Sequence, residues 1–166
     1  NDFVPENIDT IPQINLSFKK YYKHSFKNYV IYGLVDSANL KQGYWVIQDV
    51  KSNLTYKGSY VNNLPEDWWQ VISGNTLICA GHYEQNKKQG YWAYLQLGQN
   101  KTSKYVNYKS DTLSGLAREF TSDSILISDG YYSKGLKNGY WKFYSVVGII
   151  KEQGNYFDNH KSGWWR

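Results

Sequence analysis

The chain has 166 residues, about one ordinary domain. Hydrophobic residues make up 41% and aromatic residues 18%, yet no run reaches the roughly 18 apolar residues that a membrane-spanning helix needs. Nineteen basic residues stand against 14 acidic ones, a net charge of +5, and Cys79 is the only cysteine, so an internal disulfide is excluded.

Residues 1–13 hold two of the three prolines, Pro5 and Pro12, and read as a lead-in with little structure. The chain starts at Asn1 and contains no methionine, which fits a removed signal peptide or an excised segment and sets export as the expectation. Residues 14–24 read as an initial strand. Tyr21 stands 24 residues before Trp45, where a worn half-repeat would cap an array. The expected division is a lead-in and initial strand over residues 1–20, then a repeat domain over 21–166.

From Trp45 onward the tryptophans follow one ruler. Trp69 comes 24 residues after Trp45, Trp92 a further 23, Trp141 a further 49 and Trp165 a further 24. The long step spans two periods, with Ala117 in the skipped slot. A fixed period near 24 marks a repeat architecture, in which each unit buries its apolar face on its neighbours. Six units start near residues 33, 58, 81, 106, 130 and 154, and their shared frame is Gly-x-Tyr, a polar stretch, then Gly-aromatic-Trp.

Each unit reads as a β-hairpin. Tyr140–Tyr144 and Ile149–Tyr156 are rich in strand formers, and Val147-Gly148 is a tight-turn signal between them. Ser73-Gly74-Asn75 and Leu97-Gly98-Gln99-Asn100 are further turn signals. Asp158–Gly163 reads as a polar loop whose glycine can take positive φ. No segment carries a convincing helical period. The expected fold is all-β, an elongated antiparallel meander of about six tandem hairpins.

Strand alternation puts Trp45 with Ile47, Trp69 with Val71, Trp92 with Tyr94 and Trp141 with Phe143 on one face. The residue before each slot points the other way. Tyr44, Trp68, Tyr91, Tyr140 and Trp164 are therefore the candidate partner-binding residues, because exposed tyrosine and tryptophan bury much area at low entropic cost. The fourth unit departs most: Val106 replaces the first glycine, Ala117 the tryptophan, and Glu119 takes a core-face position. It reads as either a worn unit or a locally specialised surface. Cys79, within Leu77-Ile-Cys-Ala80, reads as a buried inert thiol.

The frame Gly-x-Tyr…Lys-x-Gly-aromatic-Trp resembles the MORN repeat, and most of all the bacterial variant found in antitoxin-like repeat proteins. The matching residues are Gly81-His-Tyr83 with Lys88-Gln-Gly90-Tyr91-Trp92, Gly130-Tyr-Tyr132 with Lys137-Asn-Gly139-Tyr140-Trp141, and Gly154-Asn-Tyr156 with Lys161-Ser-Gly163-Trp164. The resemblance covers about residues 33–166; the second and fourth units depart, with Asp67 and Val106 in place of glycines. It implies a hairpin scaffold that binds proteins, or sometimes lipid, with no inherited catalytic residue. It further implies a bacterial immunity or antitoxin-like protein that engages a secreted toxin or effector; the missing start methionine sets the periplasm or cell envelope as the expected location.

Lys41, Lys88, Lys137 and Lys161 each stand two residues before the frame glycine. Stacked hairpins would place them along one sheet edge about 10 Å apart, near the Debye length. Such a row offers a cationic stripe for an anionic membrane surface, or serves to protect the edge from aggregation. Basic charge beside aromatic rings also fits single-stranded nucleic acid, but these rings have a packing duty and the acidic residues are interspersed, so no nucleic acid is expected. His24, His82 and His160 lie far apart, and no nucleophile elbow or phosphate loop is present, so no metal, cofactor or catalytic residue is expected.

Overall fold

A computed structural model describes residues 20–96, 98 and 101–166. Among them are fourteen β-strands and no helix. They fall in two compact bodies that divide between Lys87 and Lys88. The lead-in 1–13, the first part of the expected initial strand, and three residues of the Leu97–Asn100 turn lie outside the described residues.

The first body holds β1 (Lys20–Phe26), β2 (Tyr29–Val35), β3 (Lys41–Asp49), β4 (Leu54–Val61), β5 (Leu64–Ser73) and β6 (Thr76–Glu84). Each pairs antiparallel with the next in chain order. The second body is built from β7 (Lys87–Leu95), β8 (Thr102–Lys109), β9 (Thr112–Leu113), β10 (Gly115–Phe120), β11 (Leu126–Ser133), β12 (Leu136–Tyr144), β13 (Ile150–Phe157) and β14 (His160–Trp165). It too is a sequential antiparallel meander, with β9 a short stretch on β8 just ahead of β10. The chain is thus an all-β hairpin meander.

The polar stretches are tighter than a loop. Asn62-Asn63, Gln85-Asn86, Ser110-Asp111, Lys134-Gly135 and Asp158-Asn159 all have positive φ at both residues. That is the type I′ signature, whose twist suits a two-residue hairpin. The Asp158–Gly163 loop is therefore corrected: two residues turn and β14 begins at His160. Successive turns also clamp one another. Asn63 Oδ1 accepts from the Lys41 amide at 2.7 Å, Asp111 Oδ1 from Lys88 at 2.8 Å, and Asn159 Oδ1 from Lys137 at 2.7 Å.

The frame glycines set the core. Tyr32 pairs with Val46 and Leu34 with Gln42, so Gly43, Tyr44 and Trp45 together stand opposite Gly33 alone. The same three-for-one bulge places Asp67–Trp69 opposite Gly58 and Gly139–Trp141 opposite Gly130. Its first residue needs a left-handed backbone, φ 64° at Gly43 and 60° at Asp67, which aspartate tolerates better than most side chains. The bulge carries each indole over the glycine. The ring N–H then donates to a nearby backbone carbonyl, Trp45 to Leu34 at 3.0 Å and Trp141 to Tyr131 at 3.0 Å.

Trp45, Trp69, Trp92 and Trp141 are at most 3% exposed, and Ile47 and Val71 are buried beside the first two. Frame tyrosines interleave with them edge to face. In the first body Trp45–Tyr60, Tyr60–Trp69 and Trp69–Tyr83 have centroids 6.1, 5.1 and 6.1 Å apart. Tilted and edge-on pairs of this kind favour the ring quadrupoles. One expectation is corrected by a residue. Tyr22, not Tyr21, takes the slot position: it pairs with Gly33, is buried, and lies 6.2 Å from Trp45, whereas Tyr21 is exposed. Cys79 is buried as expected.

Candidate functional site

The residues before the slot tryptophans are open to solvent, from 46% exposed at Tyr140 to 95% at Trp164, with Tyr44, Trp68 and Tyr91 between. The bulge explains why. It turns the slot ring inward over glycine, and strand alternation points its predecessor outward. In the first body Tyr44 on β3 and Trp68 on β5 are separated by β4, about 10 Å at two strand spacings. Ser59 is the cross-strand partner of Tyr44, and His82 that of Trp68. Partial burial, then the neighbouring Tyr32 phenol, hold the Tyr44 hydroxyl above its ordinary range.

In the second body Tyr140 pairs with Asn155, and the Tyr91 ring meets Tyr105 at 6.0 Å. Tyr131 is also exposed and pairs with Leu116. Sequence reading missed Tyr131, although it occupies the middle position of its Gly-x-Tyr, where alternation puts it on the same side as Leu116.

The lysine stripe is corrected. Lys41 and Lys88 are 1% and 6% exposed, and only Lys161 is classed as exposed. Their ammonium groups lie over ladder rings: Lys41 is 4.7 Å from the Tyr60 centroid, Lys88 5.0 Å from Trp92, Lys137 4.7 Å from Trp141, and Lys161 4.3 Å from Trp165. A four-carbon stem on the slot face reaches the next ring more readily than it reaches water. Lys161 also ion-pairs with Glu152.

The fourth unit has lost its parts together. Val106 stands where a glycine would receive a ring, Leu113 where the lysine would be, and Ala117 where the indole would be. The losses are physically linked. A Cβ at the glycine position would occupy the ring's place, so Val106 and a slot tryptophan exclude each other, and without the ring the lysine has nothing to cover. Asn107 fills part of the role, its Nδ2 donating to the Leu116 carbonyl at 2.9 Å. Beside Ala117 is an open hollow of about 440 Å³, lined by Glu119, Ser128, Tyr132, Trp141, Phe143 and Glu152 among others. Glu119 accepts from the Ser128 hydroxyl at 3.4 Å and lies 3.5 Å from Lys104. Burial, then the Glu119 charge, push the Tyr132 phenol up.

Among the described residues no group of three or more His, Cys, Asp or Glu side chains is placed to hold a metal ion. His24 is exposed, with its ring 6.0 Å from Tyr22, and His160 is exposed in the last hairpin. A comparison with protein-family models finds no match, and neither does one with curated proteins.

Proposed function

We propose that this chain is a non-enzymatic, protein-binding repeat scaffold. In each body its exposed aromatic residues, Tyr44 and Trp68 in one and Tyr91, Tyr140 and Trp164 in the other, anchor the partner. One observation carries the reading: Trp45, Trp69, Trp92 and Trp141 are spent on the core while their immediate neighbours stay open. Large exposed aromatic groups on a rigid sheet mark interaction sites, because they bury area without much ordering cost. The MORN-like frame supports a bacterial immunity or antitoxin-like role directed at a secreted toxin or effector.

The direct test uses the protein encoded beside this chain's gene. Calorimetric binding to that neighbour, together with rescue of cells that express it, supports the reading. A harmless neighbour that does not bind overturns the immunity role. The alternative, an anionic-lipid or envelope binder acting through the lysine row, has lost two carriers, since Lys41 and Lys88 are buried. Salt-sensitive binding to anionic vesicles would restore it.

A further inference from the structure

We propose that the hollow beside Ala117 is a receptor for a single neutral aromatic side chain, an indole above all, presented by a partner protein. The proposal rests on the scaffold reading for the source of that ring only. The ladder in the second body shows what fits. Trp92 and Tyr108 have centroids 6.2 Å apart, and Tyr132–Trp141, Trp141–Tyr156 and Tyr156–Trp165 are 5.1, 6.3 and 4.9 Å apart. Ala117 is the slot between Tyr108 and Tyr132, and it supplies no ring. Tyr132, Trp141 and Phe143 wall the hollow. Val106 fills the inner part of the missing place, so an incoming ring would lie outside it, against Tyr132, Trp141 and Phe143, worth about 0.5–1.5 kcal/mol per aromatic pair beyond the area it buries.

Charge selects the occupant. Glu119 and Glu152 each already face a lysine, Lys104 and Lys161, so a free cation gains little from them. The Lys137 ammonium already lies 4.7 Å from the Trp141 centroid and 4.9 Å from Phe143, where it would repel a second cation. A neutral ring meets neither obstacle. Its N–H or O–H donor would find a carboxylate oxygen at the wall, since an ionised carboxylate has about four acceptor sites.

A second feature lies beside the hollow. Val146, which lines it, begins the β12–β13 hairpin tip, where Val146, Val147 and Ile149 are 67–69% exposed. The β10–β11 tip of the same body is polar, Ser122-Asp123-Ser124. Apolar surface therefore runs outward from the hollow, as a segment carrying the ring requires.

The test is a titration with N-acetyl-tryptophanamide, followed through the methyl resonances of Ala117 and Val146. Saturable shifts are expected, with the corresponding leucine and arginine amides about tenfold weaker or more. Ala117→Leu fills the hollow and should abolish the shifts at Val146. The double variant Val106→Gly with Ala117→Trp restores the rung; it should also abolish binding and raise the unfolding midpoint. No saturable shift in the millimolar range, or undiminished binding in both filled variants, overturns the proposal. So does a Val146 response to phosphatidylcholine vesicles with none to the tryptophan amide, which would assign the tip to a membrane. A silent hollow with partner binding kept through Trp68 overturns this site while leaving the scaffold reading standing.

Discussion

The Trp141 ring lies over Gly130 so closely that a Cβ on the glycine would stand 2.1 Å from it. Gly33 and Gly58 face Trp45 and Trp69 in the same way, at 2.3 and 2.2 Å. The contact is with the ring's fused atoms, which cannot swing aside as the end of a flexible chain would. Gly130→Ala should therefore cost about 1–3 kcal/mol or more, as overpacking does. In a Trp141→Ala background the same change should cost little. A double-mutant cycle by urea denaturation measures the coupling. Additive losses would show that the ring does not hold the glycine.

The two tryptophan sets should separate in stability. Trp92 is 1% exposed and packs against Tyr108 and the Lys88 ammonium. Trp92→Ala should cost about 3–5 kcal/mol as a large-to-small core change. Trp68 is 53% exposed, and Trp68→Ala should stay within about 1 kcal/mol of wild type. Thermal and chemical unfolding of both variants decide it; a Trp92→Ala protein that melts with wild type would refute the burial.

Much of this was legible because a repeat prints its contacts at a fixed interval. The period located the slot tryptophans, and strand alternation separated Trp69 from Trp68. What stayed hidden depends on partners across strands. Nothing in Gly130 alone says that a ring lies on it, nor that Val106 and Ala117 must change together. Tyr21 and Tyr22 are alike in chemistry, and only pairing with Gly33 chooses Tyr22. Lysine spacing suggested an edge because charge usually seeks water; the rings above Lys41 reversed that.

Lys41 and Lys161 occupy equivalent frame positions in different surroundings, and the difference is measurable. Lys41→Ala should cost about 2 kcal/mol, since a desolvated cation over a ring is worth that much. The loss should change little with added salt, because buried pairs are weakly screened. Lys161→Ala, at an exposed position, should cost under about 1 kcal/mol. Urea midpoints at low and high salt check both; equal, small losses would mean that the Lys41 cation contributes nothing.

Alkaline pH should loosen the ladder. Burial is the main cause that holds the Tyr56 and Tyr132 phenols above the ordinary 10.0, with Asp49 adding at Tyr56 and Glu119 at Tyr132. A folded-state value above the unfolded one means stability is complete below about pH 10 and falls as pH rises through the folded value. Urea midpoints at about pH 8 and about pH 11 should therefore diverge, and less so in a Tyr56→Phe, Tyr132→Phe protein. A double variant that loses as much as wild type would show that other groups drive the alkaline loss.

The outward aromatic residues should matter for binding and not for folding. Tyr140→Ala and Trp164→Ala remove side chains that the core does not need, since both are exposed, whereas Trp141 next to Tyr140 is buried. Each should weaken the partner by at least about 1 kcal/mol and leave the unfolding midpoint nearly unchanged. Trp68→Ala makes the same test in the first body. Lys142 stands two residues after Tyr140 on β12 and so shares its face; Lys142→Gln should act on the association rate and its salt dependence more than on the dissociation rate. Calorimetry and surface kinetics on one partner separate these effects. If all three aromatic variants bind as wild type does, the outward aromatic residues are not the docking surface.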